Sequence, residues 1–191
     1  MGNAFANQDI ASFYAQGRAT DFARNNLFRV TSINPSTAGG GVQIGPTDLV
    51  YLTTANIPAR TINNVAVPFM GLTFNVPGTV SYPGSNAWNV TFRCNREYTI
   101  KKALDQWSKS TFDNATSMGS YQLGDTGSLT MVAFGTKSEE KVKISLEGLY
   151  CLNVGEMAYN VTDAGQVVTV QATLAYSYWH YGDSEAGSTI P

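Results

Sequence analysis

Residues able to carry acid–base or nucleophilic catalysis are sparse in this sequence. The single histidine, His180, follows Trp179 near the end of the chain. Its position leaves a Ser-His-Asp arrangement open, but no local motif supports one. The aspartates and glutamates are scattered along the chain. An enzyme is therefore not favoured, because catalysis of this kind needs a nucleophile with its base or an acid–base pair.

Metal, phosphate and thiol chemistry are not indicated either. No group of His, Cys, Asp and Glu has the spacing of metal ligands, and the glycines at 39–41 lack the Lys-Ser/Thr and the helix of a phosphate-binding loop. Cys94 and Cys151 lie too far apart in sequence for a metal motif or a disulfide framework. Two reduced thiols are the favoured interpretation, and a bridge between subunits formed after release from the cell is the alternative. We expect no cofactor and no metal.

The composition favours a protein that functions as a subunit of an assembly. At 191 residues, with 43% hydrophobic and 12% aromatic residues, the chain can form one domain with a core, with or without extended arms. Only 14% of the residues are charged and the net charge is -2, so the surface is poorly protected against self-association. Twelve Lys and Arg face 14 acids, which does not indicate tight DNA binding but permits a surface that DNA passes. No segment reaches membrane-spanning length, and the N-terminus lacks the pattern of a secretory signal.

One long stretch of the chain is almost uncharged. Between residues 49 and 92, Arg60 is the only charged side chain. Within it, IPARTINNVAVPFMGLTFNVPG (57–78) contains Pro58, Pro68 and Pro77. Each proline removes a backbone donor, so a regular central strand is disfavoured. This segment is predicted to be a strand, a hairpin tip or an arm.

Alternating patterns elsewhere predict a mainly β, antiparallel fold, either a β-sandwich or a barrel. Trp88, Val90 and Phe92 share one strand face, as do Val142, Ile144 and Leu146. The predicted strands, seven or eight in all, include LFRVTSI (27–33), LVYLTTA (49–55), LTFNV (72–76), WNVTFR (88–93), SLTMVAF (128–134), KVKISLE (141–147) and QVVTVQATLAYSYW (166–179). The last alternates over its whole length and is too long for the sheet of an ordinary small domain. Residues 34–48, rich in Gly, Pro and Ser, predict a loop or a bulged hairpin.

Two helices accompany the strands. Residues 8–16 are predicted to form a short amphipathic helix carrying Ile10, Phe13 and Tyr14, with Gly17 as its stop. Residues 95–110 are predicted to form a longer helix that covers the open side of a sheet. Its assigned features are an N-cap at Asn95, an acidic first turn at Glu97, and an apolar stripe of Ile100, Ala103, Leu104 and Trp107.

Three blocks of sequence, in this order, resemble the tail tube proteins of T4-like contractile-tailed bacteriophages. They are DFARNNLFRV (21–30), NIPARTINNVAVPFMGLTFNVPG (56–78), and EGLYCLNVGEMAYN (147–160) followed by a strand that ends in LAYSYW (174–179). The helix with Trp107 falls where the family has one. Together the blocks span most of residues 8–180, although the loop 34–48 is longer and residues 181–191 run past the usual end.

The resemblance implies one tail tube domain over residues 1–191, with an arm at 57–78 and a C-terminal extension at 181–191. Proteins of this family form six-membered rings whose inner sheets join into one β-barrel. The rings stack into a hollow tube within a contractile sheath. DNA passes through the tube without specific binding. The implied partners are further copies, the sheath, baseplate, tail terminator and tape measure proteins, and no membrane. The implied location is the virion, assembled in the host bacterial cytoplasm; relatives include pyocin and type VI secretion tube proteins.

The arm is where the resemblance places contacts between subunits and between rings. The residues assigned to these contacts are Arg60, Ile62, Val65, Val67, Phe69 and Met70. For each residue, burial in its own core is an equal alternative, whereas the segment as a whole favours an interface, because obligate interfaces shed charge. Acids at or near strand turns are candidates for the lumen, or equally for a solvated outer face: Glu139, Glu140, Glu147 and Asp163.

A binding module is the alternative from another class. An adhesin or carbohydrate-binding β-sandwich would suit the high aromatic content. The missing secretory signal and the uncharged, proline-containing arm speak against it. A monomeric particle that bound glycans would favour this alternative.

Overall fold

The structure is a computed structural model that describes residues 9–35, 42, 44–119, 122–162 and 165–182. Within these residues, three helices and eleven strands follow in chain order, together with one turn of 3-10 helix at Leu123–Asp125. The elements are α1 (Ile10–Thr20), β1 (Phe28–Asn34), α2 (Pro46–Leu49), β2 (Leu52–Thr54), β3 (Thr61–Phe69), β4 (Leu72–Ser81), β5 (Trp88–Arg93), α3 (Thr99–Thr111), β6 (Phe112–Asp113), β7 (Met118–Gly119), β8 (Gly127–Phe134), β9 (Glu140–Val154), β10 (Thr169–Ala175) and β11 (Tyr178–Tyr181). The predicted mainly β, antiparallel class is confirmed.

Two antiparallel sheets share the long strand β9. The strand order is β1-β8-β9-β10-β5-β2, and β11 pairs with the other side of β9. The first half of β9 pairs with β8 and β11, whereas its second half pairs with β10. We call β1, β8, β11 and the first half of β9 the first sheet, and β2, β5, β10 and the second half of β9 the second sheet. Buried residues of both form one hydrophobic core.

The change of sheet occurs at Gly148. Before it the buried positions of β9 are Ile144 and Leu146, and after it they are Leu149 and Cys151, so the alternation shifts by one residue. Gly148 has a φ of 74°, and a Cβ at this position would collide with the side chain of Ser177. Because glycine alone adopts this conformation without a steric penalty, the corner depends on it.

The strand predicted at 166–179 is broken at the same corner. β10 ends at Ala175 and β11 begins at Tyr178. Between them, the Tyr176 backbone N–H donates to the Ser85 carbonyl, and the Ser177 N–H donates to the Glu147 carbonyl. The prediction of one continuous strand was therefore wrong, because the chain leaves one sheet and enters the other.

Helix α3 covers β9 with the predicted face. Ile100, Leu104 and Trp107 are buried, and Ala103 packs against the core. The predicted start at Asn95 was wrong, because the helix begins at Thr99 after Tyr98 at a φ of 55°, and Glu97 precedes it. Asn95 still satisfies one of the free N–H groups of the helix start, since its Oδ1 accepts a 3.0 Å hydrogen bond from the Thr99 N–H.

Further boundaries differ from the sequence prediction, and two strands are longer than expected: β4 continues past 76 to Ser81, and β9 continues past 147 to Val154. α1 continues through Gly17 to Thr20, so Gly17 does not stop it. The strand predicted at 49–55 is reduced to Leu52–Thr54, because Pro46 starts a helical turn in which the Asp48 carboxylate accepts a hydrogen bond from the Gly45 N–H. In the described part of the chain, no helix has the length and apolar character needed to cross a membrane.

Candidate assembly surface

Strands β3 and β4 form a hairpin (residues 61–81) that is a two-stranded sheet of its own. The last pair before the turn is Phe69 with Leu72, which leaves Met70 and Gly71 as a two-residue loop. Both loop residues have positive φ, 48° and 80°, as the tightest hairpin turns require. The hairpin covers most of the predicted arm (57–78). The sequence left a strand, a hairpin tip or an arm open for this segment, and the structure shows a hairpin whose tip is at Met70 and Gly71.

The prolines fit the hairpin because it has only two strands. Pro68 lies opposite Thr73, and Pro77 lies opposite Asn64. In a sheet of two strands each strand is an edge, so a residue without an N–H can face outward without breaking the ladder. The expectation that these prolines exclude a central strand agrees with this pairing.

The hairpin has one apolar face. Three directly opposed pairs, Val65–Val76, Val67–Phe74 and Phe69–Leu72, lie on the same side because side chains alternate along a strand. We call these six residues the apolar hairpin face, and their exposed fractions run from 42% to 64%. The other side carries small and polar residues: Asn64, Ala66, Pro68, Thr73 and Asn75.

All the residues assigned to the arm from the sequence lie outside the core. Arg60 is exposed just before β3. Ile62 is 49% exposed and lies opposite Val80, beyond a bulge. Val65, Val67 and Phe69 belong to the apolar hairpin face, and Met70 at the tip is 88% exposed. The alternative of burial in the subunit's own core is therefore wrong for these residues.

Sequence analysis missed half of the apolar hairpin face. Leu72, Phe74 and Val76 were recognised only as an alternating strand. The register of β4 against β3 places them beside the residues of β3 that were assigned. The alternation of LTFNV was the available signal, but alternation does not say which face pairs with which neighbour.

The hairpin is poorly stabilised by the subunit that carries it. An isolated two-stranded hairpin is at best marginally stable in water, and monomeric proteins rarely expose contiguous apolar patches of this kind without a function. The six side chains of the apolar hairpin face are all exposed. The apolar hairpin face is therefore a candidate surface for contact with another chain.

Helix α1 presents a second exposed apolar surface. None of its residues is buried, and Ile10, Phe13 and Tyr14 are 87%, 66% and 70% exposed. The Phe13 ring stacks on Phe22, with ring centroids 5.4 Å apart. The predicted amphipathic helix is present, but its apolar side does not face the core.

The single histidine, His180, is engaged in structural contacts. His180 lies opposite Ser145 in the first sheet. Its Nε2, however, lies 3.6 Å from Glu147 Oε1, and its Nδ1 lies 3.1 Å from the Tyr181 carbonyl oxygen. Both ring nitrogens therefore face partners other than a serine hydroxyl, so this site lacks the contact between nucleophile and base. In the described ranges, no three His, Cys, Asp or Glu residues cluster as a metal site would require.

The two cysteines are free in the structure. Cys94 Sγ lies 3.6 Å from Met157 Sδ, and burial raises its pKa. Cys151 is buried, and burial, with a smaller contribution from Asp105, raises its pKa from 9.0 to about 12. A thiol held in its neutral form is a poor nucleophile, so these environments do not favour a bridge between subunits.

The acids considered for a lumen lie in or beside the first sheet, apart from Asp163, which lies outside the described residues. Glu139 Oε1 is 3.4 Å from Lys141 Nζ, and Glu147 is the partner of His180. Glu140 is exposed at the start of β9. Their role in a lumen stays a prediction.

Comparison with known proteins gives a consistent result. The profile of the phage tail tube protein family matches residues 23–182. The chain is 22% identical over 173 residues to tail tube protein gp19 of Enterobacteria phage T4, covering 90% of this chain and 97% of that protein. It is 21% identical to tail tube protein gp19 of Enterobacteria phage T6 with the same coverage.

Solved structures show the same fold. A chain in the cryo-EM structure of the anti-feeding prophage baseplate superposes with a TM-score of 0.57 at 12% identity, covering 84% of this chain and 95% of that one. A chain in the anti-feeding prophage cap gives 0.54 at 16% identity, covering 94% and 99%. A chain in the sheath-tube complex of the extracellular contractile injection system PVC gives 0.52 at 12% identity, covering 88% and 96%. With its matching profile over most of the chain, its fold and its exposed hairpin, this chain belongs to the phage tail tube protein family.

Proposed function

We propose that the protein is the structural subunit of a phage tail tube: six copies form a ring, and the rings stack into a hollow tube inside a contractile sheath. The tube is the conduit for ejection of DNA into the host. Membership of the tail tube family supports this role. The observation that carries it is the apolar hairpin face, which projects from the subunit without a partner among the described residues.

The lack of charge on the hairpin fits contact with other copies. Residues 61–81 contain no Asp, Glu, Lys or Arg. Burying such a surface requires no desolvation of ions, and permanent interfaces have this apolar character. A monomer would gain nothing from keeping this surface uncharged, because charge protects exposed strands from aggregation.

The chain acts as one tube domain, in which the hairpin is the arm and residues 181–191 are the C-terminal extension. Its partners are further copies, the sheath, the baseplate, the tail terminator and the tape measure protein. Matches to chains in baseplate, terminating-cap and sheath-tube structures support the first four. The protein resides in the virion tail and is assembled in the host cytoplasm.

The outward face of the second sheet is the surface that best suits passing DNA. Most of its exposed or half-exposed residues carry hydroxyl or amide groups, with one cation at the end of β5 and one apolar exception, Leu152, in β9. They include Asn89, Thr91, Arg93, Asn153, Thr169, Gln171 and Thr173. A surface with few cations makes few phosphate contacts, so DNA slides past it with little retention. The first sheet has Arg29 and Lys143 on its outward face instead.

Lysine substitution tests this assignment. Gln171→Lys adds a cation to the proposed lumen face, and Ser128→Lys adds one to the outward face of the first sheet. We expect Gln171→Lys to slow DNA release from triggered phage, more strongly at low salt, while tube formation is unchanged. Equal ejection rates for the two variants would reject the second sheet as the lumen wall.

The assembly role is tested by a charge on the apolar hairpin face. Phe69→Asp places a carboxylate at a 62% exposed position, so the subunit should keep its thermal unfolding temperature but fail to form rings or tubes in negative-stain electron microscopy. Asn75→Asp, on the opposite face of the same hairpin, is the matched control and should assemble. Tubes of normal width from Phe69→Asp would contradict the role of this face.

A further inference from the structure

An apolar pocket of about 260 Å³ lies between the first sheet and the chain that follows β2. Its apolar walls come from the start of β1, from β8 and β9, and from the segment that leads into the hairpin, and they include Phe28, Ala55, Ile57, Ala133 and Val142. We call it the base pocket. It is open to solvent although most of its lining is apolar, which is unfavourable in an isolated subunit.

We propose that the base pocket of one subunit receives the hairpin tip, Phe69 and Met70, of a second copy of this chain. The inference rests on the proposed self-assembly and names the surface on which the hairpin docks. Phe69 is 62% exposed and Met70 is 88% exposed, so both are available to a partner.

Size and polarity match between the tip and the base pocket. An apolar cavity of about 150 Å³ is enough to hold a benzene ring. The 260 Å³ of the base pocket therefore accommodates the Phe69 ring with part of the Met70 side chain. Methionine suits an irregular apolar recess, since its unbranched thioether chain adapts to the available shape.

Charge does not oppose the docking. The tip and the whole hairpin carry no ionised side chain. The one charged residue that lines the base pocket, Arg24, has its guanidinium 3.8 Å from the Asp21 carboxylate. Seating the tip therefore leaves no unpaired ion in an apolar site.

The backbone of Met70 is a second indication. Met70 has a φ of 48°, in the left-handed region, which is unfavourable for a residue with a side chain. Asn or Gly is the usual residue there in a two-residue turn. A methionine in this strained and exposed position is explained if its side chain makes a contact in the assembly.

The base pocket also offers room for the strand behind the tip. It shares Asn25, Phe28 and Ala55 with a groove of about 1050 Å³ that runs between β1 and β2. β1 and β2 are the outermost strands in the strand order. Each therefore has one edge that pairs with no other described strand, apart from a single bridge between Ile33 of β1 and Ile44. Such edges bind an extended segment through backbone hydrogen bonds.

The occupant is a different copy because the hairpin cannot reach its own base pocket. The hairpin starts at Thr61, four residues after Ile57 of the pocket rim. At about 3.3 Å per residue, the strand β3 carries the tip roughly 26 Å away from its base. Tip and pocket are therefore two different surfaces, and a contact of this type links copies head to tail, into a closed ring or an open series.

Disulfide trapping tests the proposal in the full chain. In a Cys94→Ala background, Met70→Cys is combined with Ala133→Cys in the base pocket, and in the control with Lys102→Cys on the exposed side of α3. After assembly and mild oxidation, we expect the pocket pair to give a covalent ladder of trimers and longer species on non-reducing gels. Met70→Cys alone should stop at dimers, and the control pair should give no ladder.

The outcomes separate the two proposals. The docking site would be overturned if tubes form but the pocket pair gives no ladder, or if the control pair gives an equal ladder. Either result would leave the tube function standing. Absence of any assembly by the Cys94→Ala parent chain, in which tip and pocket are unchanged, would overturn both. As a second measurement, Ala55→Phe fills the pocket rim, and we expect at least a tenfold rise in the concentration needed for tube formation with unchanged subunit unfolding.

Discussion

At the scale of single residues, Gly148 shows how one backbone position decides the architecture. Its φ of 74° lets β9 turn from one sheet into the other, and Ser177 occupies the space that a side chain would need. Gly84 also has a positive φ, 77°, but nothing lies within 4 Å of the place its Cβ would take. An alanine at Gly84 would therefore meet only the unfavourable left-handed backbone, whereas an alanine at Gly148 would also collide with Ser177.

We expect Gly148→Ala to lower the free energy of unfolding by more than Gly84→Ala. The left-handed backbone alone costs an alanine about 1–2 kcal/mol, and at Gly148 the collision with Ser177 adds to it. Urea denaturation of both variants measures the difference. Equal losses would show that the corner does not depend on the close approach of Ser177.

The buried thiol of Cys151 makes stability depend on pH. Burial raises its pKa from 9.0 to about 12, so the folded chain keeps the proton while the unfolded chain loses it. Its contribution is fully present below pH 9 and is lost as pH rises towards 12. We expect Cys151→Ala to flatten the decrease in the free energy of unfolding over this range, measured by urea titration at a series of pH values. A slope identical to that of the parent chain would contradict the assignment.

At the scale of elements, α3 stabilises the subunit through its buried face. Leu104 in α3 is 1% exposed, whereas Leu123 in the 3-10 turn is 72% exposed. We expect Leu104→Ala to lower the free energy of unfolding by about 2–5 kcal/mol, because it leaves a cavity in the core. Leu123→Ala should change it by less than about 0.5 kcal/mol. Chemical denaturation checks both, and a small effect at Leu104 would mean that α3 does not pack on β9 as described.

At the scale of the whole molecule, the low charge and the uncharged hairpin make assembly an apolar process. We expect tube formation to persist or strengthen as NaCl rises from roughly 0.1 to 1 M, over which the Debye length falls from about 10 to about 3 Å. Interfaces held by ion pairs would weaken over the same range. Light scattering against salt concentration measures this, and disassembly in high salt would contradict an interface built on the apolar hairpin face.

Properties that depend on residues close together in the chain could be predicted from the sequence. Local periodicity was enough to place the strand face of Trp88, Val90 and Phe92 and the buried face of α3. The near absence of charged residues, together with the prolines, was enough to distinguish residues 57–78 from an ordinary core strand. Both features can be read from the sequence without knowing which residues are in contact. The order of the family blocks added the tube fold, which the structural comparisons bear out.

Features that depend on residues far apart in the chain could be seen only in the folded molecule. The break between β10 and β11 follows from the corner at Gly148, some 30 residues earlier, so the uninterrupted alternation of 166–179 could not show it. The register of β4 on β3 placed Leu72, Phe74 and Val76 on the apolar hairpin face. The base pocket needs β1, β8, β9 and the chain after β2 together. Pairing register and cavities arise from packing between distant segments, and the period of a single segment contains no information about its partner.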